Sequence, residues 1–459
     1  MLSKEENELV TNTNRGTPMG EFFRRFWLPV ALSEELPVAD GVPVRVKVLN
    51  EQLVAFRDTD GRIGLVDAFC PHRGAPLFFG RNEECGLRCV YHGWKFDVDG
   101  NCTDLPSAPE GDTYKDKIAI DSYPVVEAGG LLWAYLGPKQ KQPPFPGFEW
   151  CRGAPENRYI KKFRLECNYL QAMEGDFDPS HARFLHSELE EVQIPNPLNP
   201  ANMQQTRNNP LGDGRDASAD PFPRAVGNRR VTQRGSTRLE DSDSGVISVT
   251  TSEQPDGRIN AAIAITLMLP IFCTAGIGGP NSYYGNIRVP IDNESLMFYR
   301  LRWSYDPIPQ AELDEYRNGD WYYPEMIPGT FQTKANVHND YLIDREKQRD
   351  VNYTGISTFP LQDIAMMENQ WGPIADRTRE HLTSLDYQII QIRQRLLAAA
   401  KAIANGVEPA EPWHPEAYRY RRASAVGATA DEAIERAKAL AFESRLPSEV
   451  EALAPEIRV

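Results

Sequence analysis

From Val44 to about Leu136 apolar residues recur in short strand-length runs, Val44-Arg-Val-Lys-Val-Leu49, Leu53-Val-Ala-Phe56 and Leu131-Leu-Trp-Ala-Tyr-Leu136. Such runs, broken by the turn signals Asp60-Gly61 and Asp99-Gly100, predict a small antiparallel β domain. An arm of 38 residues precedes it, helical or extended, with Phe22-Phe23 and Phe26-Trp27 as an apolar anchor. Pro143-Pro-Phe-Pro146 reads as a linker, and from about residue 159 longer β runs mix with helices. The clearest helix opens at Thr383-Ser-Leu-Asp386, which resembles a capping box. It carries Ile389, Ile390, Ile392, Leu396 and Leu397 on its apolar positions and stops at Asn405-Gly406. Residues 194–238, rich in Pro, Asn, Gly and Arg and without period, predict a functional lid or mobile loop. The Ala-rich stretch Ser424 to Leu440 predicts a surface helix of little functional content. The expected division is therefore an arm over 1–38, a β domain over 39–150, a second domain over 151–423 and a helical tail over 424–459.

Composition narrows the function classes. The 459 residues suffice for two or three domains, with 41% hydrophobic and 25% charged residues as in globular proteins. Fifty basic against 65 acidic residues leave a net charge of −15, which argues against a nucleic-acid or anionic-membrane binder. No apolar run approaches the roughly 20 residues of a membrane span. The polar N-terminus lacks a signal-peptide core, so a cytoplasmic location is expected. Seven scattered cysteines do not form a disulfide framework. Cys85, Cys102, Cys151, Cys167 and Cys273 read as ordinary buried thiols.

The other two cysteines carry the chemistry. Cys70-Pro-His72, sixteen residues, then Cys89-Val-Tyr-His92-Gly-Trp places two thiolates and two imidazoles at a spacing able to hold a two-iron, two-sulfur cluster. Imidazoles on one iron raise the potential above that of an all-Cys cluster, which suits single-electron transfer. A structural zinc site is the alternative. Against it stand Pro71, Gly74 and Gly93, which predict turns wrapping amides toward sulfur, and Tyr91 and Trp94 as polar-tipped neighbours, Tyr91 within reach of a cluster sulfur.

A second constellation is Asn168 to His186. Asp178 and His181 are three apart and share a face if helical. His181 and His186 are five apart, an offset of about 140° on an ideal helix, so they converge only if the helix bends or ends between them. Two His and a carboxylate with open positions form the facial triad of non-haem Fe(II) oxygenases. Spacing alone leaves the third ligand open to any carboxylate later in the chain.

Together the segments from Thr17-Pro-Met-Gly, through the Cys/His pairs and Asn168–His186, to Leu361-Gln-Asp363 and onward resemble the large (α) subunit of Rieske non-haem iron aromatic oxygenases, in the phthalate dioxygenase-like branch. The resemblance implies an α+β chain, with an antiparallel β Rieske domain followed by a helix-grip (START-like) catalytic domain of antiparallel sheet and helices. It implies that Cys70, His72, Cys89 and His92 bind the [2Fe-2S] cluster and that His181, His186 and Asp363 bind mononuclear Fe(II), with Asp340, Asp344 and Glu368 as the rivals to Asp363. It makes Asp178 a bridging carboxylate for electron transfer between subunits. Many members carry Asn where this chain has Glu174, so Glu174 is a candidate catalytic position of altered role. Electrons would come from NAD(P)H through a separate flavin/iron–sulfur reductase, and the assembly would be a homotrimer or stacked trimers.

For substrate, phthalate-type members hold aromatic acids with arginines, which pair bidentately with carboxylates. Arg207 leads the candidates, with Arg224, Arg229, Arg230, Arg234 and Arg238 beside it. The run Ser244 to Thr251 contains no Arg or Lys, which disfavours phthalate itself. The expected reaction is ring hydroxylation of an aromatic, carboxylated compound; the alternative is O-demethylation of a methoxylated lignin-derived acid. A bare electron carrier is the competing class, and the large second domain speaks against it.

Overall fold

The computed structural model describes residues 1–109, 113–178, 180–187, 235–274, 281–319 and 322–443. Arg207 and most of the arginine-rich stretch therefore lie outside the described residues. The arm folds as two short helices, Lys4–Thr11 behind a Ser3 capping box and Pro18–Phe23 behind a Thr17 cap, then runs into strand β1 (Trp27–Leu32). Ten strands build the first unit: β1, β2 (Val44–Val48), β3 (Glu51–Arg57), β4 (Ile63–Asp67), β5 (Arg81–Glu83), β6 (Gly86–Arg88), β7 (Lys95–Phe96), β8 (Cys102–Asp104), β9 (Val125–Ala128) and β10 (Leu131–Tyr135). They form three antiparallel sheets in the orders β1-β10-β9, β2-β3-β4 and β5-β6-β7-β8. The arm and the β domain are thus one sheet system, because β1 pairs along β10.

The second unit is an eight-stranded sheet, ordered β11 (Arg158–Leu165), β17 (Leu296–Trp303), β16 (Tyr283–Pro290), β15 (Phe272–Thr274), β14 (Ile259–Met268), β13 (Gly245–Glu253) and β12 (Gly235–Ser242). The eighth strand, β18 (Ala423–Gly427), pairs with β14. Helix Tyr387–Ala404 buries Ile389, Ile392, Leu396, Leu397 and Ala400 and bonds the sheet through Ser248 and Gln388 at 2.9 Å. The Thr383–Asp386 box caps the short turn before it, and Asn405 ends it.

Two expectations change. Residues 235–238, the end of the expected loop, belong to strand β12 (Gly235–Ser242), and Arg238 pairs with Glu240 there. The Ala-rich tail is a strand followed by a helix rather than a helix throughout. Its first residues are β18, and helix Ala430–Phe442 packs Ala433, Ile434, Ala437 and Ala441 in one buried cluster with Ile247, Val249 and Ile263. Alanines four apart make a flat face that lets the helix lie close on the sheet. Of the five remaining cysteines, Cys102, Cys151, Cys167 and Cys273 are buried and Cys85 is only half-buried.

One apolar core runs through both units, where Trp133, Phe148, Trp150 and Phe272 stack in sequence. The arm also clamps the segment that leads to the second constellation. Asn168 donates to Thr11 O at 3.0 Å and Tyr169 to Val10 O at 2.6 Å.

Candidate metal centres

The two Cys/His loops are built alike. In the first, after β4, Cys70 N–H donates to Ala75 O and Gly74 N–H to Cys70 O, both at 2.9 Å. In the second, between β6 and β7, Cys89 N–H donates to Trp94 O at 2.8 Å and Gly93 N–H to Cys89 O at 2.9 Å. Gly74 and Gly93 sit at φ +70° and +80°, the left-handed region a Cβ disfavours, so the anticipated turns are real and need glycine. Both loops bury their cysteine and present their histidine: Cys70 and Cys89 are 1–2% exposed, while His72 is exposed and His92 half-exposed. The imidazoles meet edge to face at 4.4 Å, and Trp94 stacks on His72 at 4.5 Å. Tyr91 lies against His92 at 3.9 Å with its ring half exposed. Burial first, and then the adjacent Cys89, push the Cys70 thiol up to about 11, as for two thiols forced into one pocket. Inner thiols and outer imidazoles are the donor set that a cluster with Cys on one iron and His on the other requires.

In the second unit the helix after Asp178 is a single turn, Ala182–Leu185, bounded by His181 and His186. Ending the helix there cancels the 140° problem. Across from it, Asp363 stands within helix Phe359–Met367, whose N-cap is Thr358, so Asp363 is not itself a cap. Its Oδ1 lies 3.5 Å from His181 Nε2 and 3.0 Å from His186 Nε2. One donor atom from each of the three lies within 4.8 Å of the others. His186 Nε2 is buried and has no hydrogen-bond partner, while its Nδ1 is engaged by Gln362 Oε1 at 2.7 Å. Gln362 is in turn oriented by donating to Ile356 O at 3.0 Å. A buried nitrogen aimed at a carboxylate, with its ring fixed from behind, fits a metal ligand. Burial pushes the Asp363 carboxyl up, but the imidazoles outweigh it and hold it below the usual range.

Two of the three rival acids are engaged elsewhere. Asp344 caps helix Arg345–Asp350, and Glu368 accepts from Glu166 N at 2.7 Å and from the Tyr341 hydroxyl. Asp178 does two things: its Oδ1 caps the turn through Ser180 N at 2.8 Å, and its Oδ2 stands 3.7 Å from His181 Nδ1. Glu174, the expected catalytic position of altered role, lines the groove with Asp178, His181 and Asp363 and is held there by two arginines. Arg377 grips both its oxygens at 3.1 Å and Arg393 takes one at 2.6 Å, all three side chains being less than a tenth exposed. Burial would raise its pKa, yet Arg377 and then Arg393 keep it below the ordinary value.

Gln362 and Arg300 escape sequence reasoning. Gln362 precedes Asp363 directly, and a polar residue buried beside a ligand was its only signal. Arg300 and Arg302 alternate in the apolar run Leu296–Trp303, which marks two charges on one face of β17.

A model described as the Rieske [2Fe-2S] domain matches residues 26–124, and one described as LigXa C-terminal domain like matches 256–439. The oxygenase subunit of phthalate 4,5-dioxygenase from Pseudomonas putida is 37% identical over 409 residues, covering 88% of this chain and 88% of that one. The chain belongs to the Rieske aromatic oxygenases. This Rieske oxygenase subunit is also 31% identical to the 5,5'-dehydrodivanillate O-demethylase oxygenase subunit of Sphingobium sp. (strain NBRC 103272 / SYK-6), over 89% of this chain and 83% of the other. The solved structure of dicamba monooxygenase bound to 3,6 dichlorosalicylic acid shares its fold, with TM-score 0.54 and 18% identity over 84% of this chain and 99% of that chain. As a Rieske terminal oxygenase it is an oxidoreductase of the α+β class expected, with a [2Fe-2S] cluster, a mononuclear iron and reductase-supplied electrons. It works within a multicomponent system that supplies its electrons. No helix among the described residues is long and apolar enough to cross a membrane.

Proposed function

We propose that this oxygenase hydroxylates the ring of a carboxylated aromatic compound, with Cys70, His72, Cys89 and His92 holding the cluster and His181, His186 and Asp363 the iron. The observation that carries the substrate class is Arg300. Three arginines are buried on the sheet beside the triad. Arg288 pairs with Asp176 at 2.6 Å and Arg302 with Glu312 at 3.1 Å. Arg300, 6% exposed, has no carboxylate in salt-bridge reach among the described residues, and its Nε has no hydrogen-bond partner. Its guanidinium lies 3.8 Å over Tyr322 and 6.0 Å from the ring of Phe359, which packs 4.0 Å from His186. Asp363 feels its charge. With Asp363 committed to a metal, that cation has no counter-charge among the described residues, and a buried unpaired charge costs several kcal/mol. A substrate carboxylate supplies the missing partner.

Ferrous iron in a facial triad supplies open positions at which O2 is activated. The chain's own residues prepare that site: Gln362 fixes the His186 tautomer, and Asp178 braces His181 from its Nδ1 side. Asp178 also lines a groove of about 630 Å³ with His181, Phe184, Met366 and Trp371, the last three half-exposed. The cluster imidazoles sit in a second apolar rim with Val90 at 60% and Tyr91 at 54% exposure. Two different apolar patches on one chain suit a head-to-tail contact, which closes into a ring such as a trimer. Electrons from NAD(P)H would enter through a flavin/iron–sulfur reductase and pass from one chain's cluster to the next chain's iron at Asp178.

O-demethylation is the second reading, supported by the O-demethylase relative and the LigXa-like match. A screen of benzoates and methoxybenzoates with a generic reductase separates the two by mass, as a gain of two hydroxyls or the loss of a methyl. Arg300→Met tests the substrate class. A lost charged hydrogen bond of about 1.5–3 kcal/mol raises KM for the acid about 10–100-fold. The neutral amide of the same acid should be unaffected; equal losses for both would sink the carboxylate reading.

A further inference from the structure

Neither metal centre uses the tyrosines behind Arg300. Tyr284, Tyr316, Tyr322 and Tyr323 are all less than a tenth exposed and form one cluster, with half-buried Tyr159 packed against it. Ring centroids stand 4.4 Å apart for Tyr284 and Tyr322, 5.0 Å for Tyr322 and Tyr323, 4.6 Å for Tyr323 and Tyr316, and 5.0 Å for Tyr323 and Tyr159. One end reaches the triad: Tyr322 lies under the Arg300 guanidinium, which neighbours Phe359, which packs on His186. The other end reaches solvent at Tyr159 and at Glu312, whose side chain is 28% exposed.

Packing alone does not call for phenols here. Phenylalanine fills the same space, and each buried hydroxyl needs a partner to offset its desolvation. Two of the hydroxyls are instead ordered toward a base. Tyr284 and Tyr316 hydroxyls meet at 3.2 Å, and Tyr316 donates to Glu312, whose carboxylate Arg302 holds in place at 3.1 Å. Burial, then Tyr284 and Glu312, keep the Tyr316 phenol protonated well above its ordinary range. A phenol in that state gives up an electron readily only if its proton leaves at the same time, because a buried phenol radical cation is an uncompensated charge. Glu312 is positioned to take that proton.

We infer that the cluster is a one-electron relay that discharges an oxidising equivalent left at the iron when no substrate consumes it, with Tyr316 as the radical site and Glu312 as its proton acceptor. The inference rests on iron being held by His181, His186 and Asp363, and is independent of the substrate. In the step, one electron leaves Tyr316 and crosses the Tyr323 and Tyr322 rings to the oxidised iron site. The phenolic O–H bond breaks, its proton goes to the Glu312 carboxylate, and a neutral phenoxyl radical remains. A solvent thiol or reduced ferredoxin then returns one electron through Tyr159, and the proton moves back from Glu312.

The test uses substrate-free holoenzyme mixed with hydrogen peroxide, frozen within a turnover and read by electron paramagnetic resonance, with metal analysis on the same sample. A tyrosyl radical is expected in the wild type. Tyr316→Phe should lose it or move it to another tyrosine, and Tyr322→Phe should reduce it. Oxidation of the peptide holding His181 and His186, read by mass spectrometry, should rise several-fold in both variants, with circular dichroism and iron content unchanged. Glu312→Gln, which keeps every ring, should weaken the radical as well. No tyrosyl radical in a wild-type chain holding all three irons, or an identical radical in both Phe variants, overturns the relay alone. A wild-type chain without the third iron overturns the iron assignment and the relay with it.

Discussion

Replacing Glu174 by Gln removes one negative charge and almost no volume from a site on which two arginines depend. Arg377 is fully buried and has Glu174 as its carboxylate partner; its other contacts are Asn7 at 3.1 Å and a backbone carbonyl. Arg393 is shared, keeping Glu380 at 2.5 Å after the change. Breaking a buried pair costs about 3–5 kcal/mol, and since only one arginine is stranded the lower end, about 3 kcal/mol, applies. With side-chain exposures of 9% or less there is no solvent screening to discount. At a slope of about 3 kcal/mol per M, the urea midpoint should fall by about 1 M. Because the folded-state carboxyl is held below its ordinary value, the stabilisation is full above about pH 4 and fades as pH falls through the folded-state pKa. The gap between wild type and Glu174→Gln should therefore narrow on acidification. Turnover per iron-loaded chain, measured below the denaturation range, should stay near that of the wild type. A variant with an unmoved urea midpoint and lost turnover would refute the structural role and restore Glu174 to the chemistry.

Gln362→Leu should leave the cluster intact and weaken mononuclear iron binding by about 10–100-fold, read by iron retention against a chelator, because His186 loses its tautomer-fixing partner. Asp178→Asn keeps the cap, since Asn caps as well as Asp. The cluster should still accept reductase electrons on stopped-flow while substrate turnover falls at least about 10–100-fold, the range for lost support of a metal-bound imidazole; coupled turnover at the wild-type rate would remove Asp178 from the electron path. Ile434→Ala should cost about 2–5 kcal/mol in denaturant unfolding, as a core residue 2% exposed beneath β13 and β14. A loss within the range of surface substitutions would show that this helix adds little to the core.

What the sequence disclosed divides by the range over which each signal acts. The Cys/His loops were legible because everything they need is local: two ligands, a glycine at the left-handed position and flanking aromatics lie within six residues of chain. The His181/His186 pair was legible as chemistry but not as geometry, since a spacing of five gives convergence only when the helix is one turn long, and nothing in the run states its length. Asp363 was reached through resemblance, because spacing could not separate it from Asp340, Asp344 and Glu368; in space, caps and a backbone amide claim two of those rivals. Glu174 shows the limit most sharply. It does line the groove of His181 and Asp363, as its place four residues before Asp178 suggested, yet its charge partners, Arg377 and Arg393, come from 203 and 219 residues away. Arg300 shows the converse. One arginine on a strand is unremarkable by sequence, and only the register that sets it beside Arg288–Asp176 and Arg302–Glu312 reveals the cation with no carboxylate in reach among the described residues. Electrostatic meaning in this fold lies in which charges are already spent, and that sum is taken over residues that the sheet, not the chain, makes neighbours.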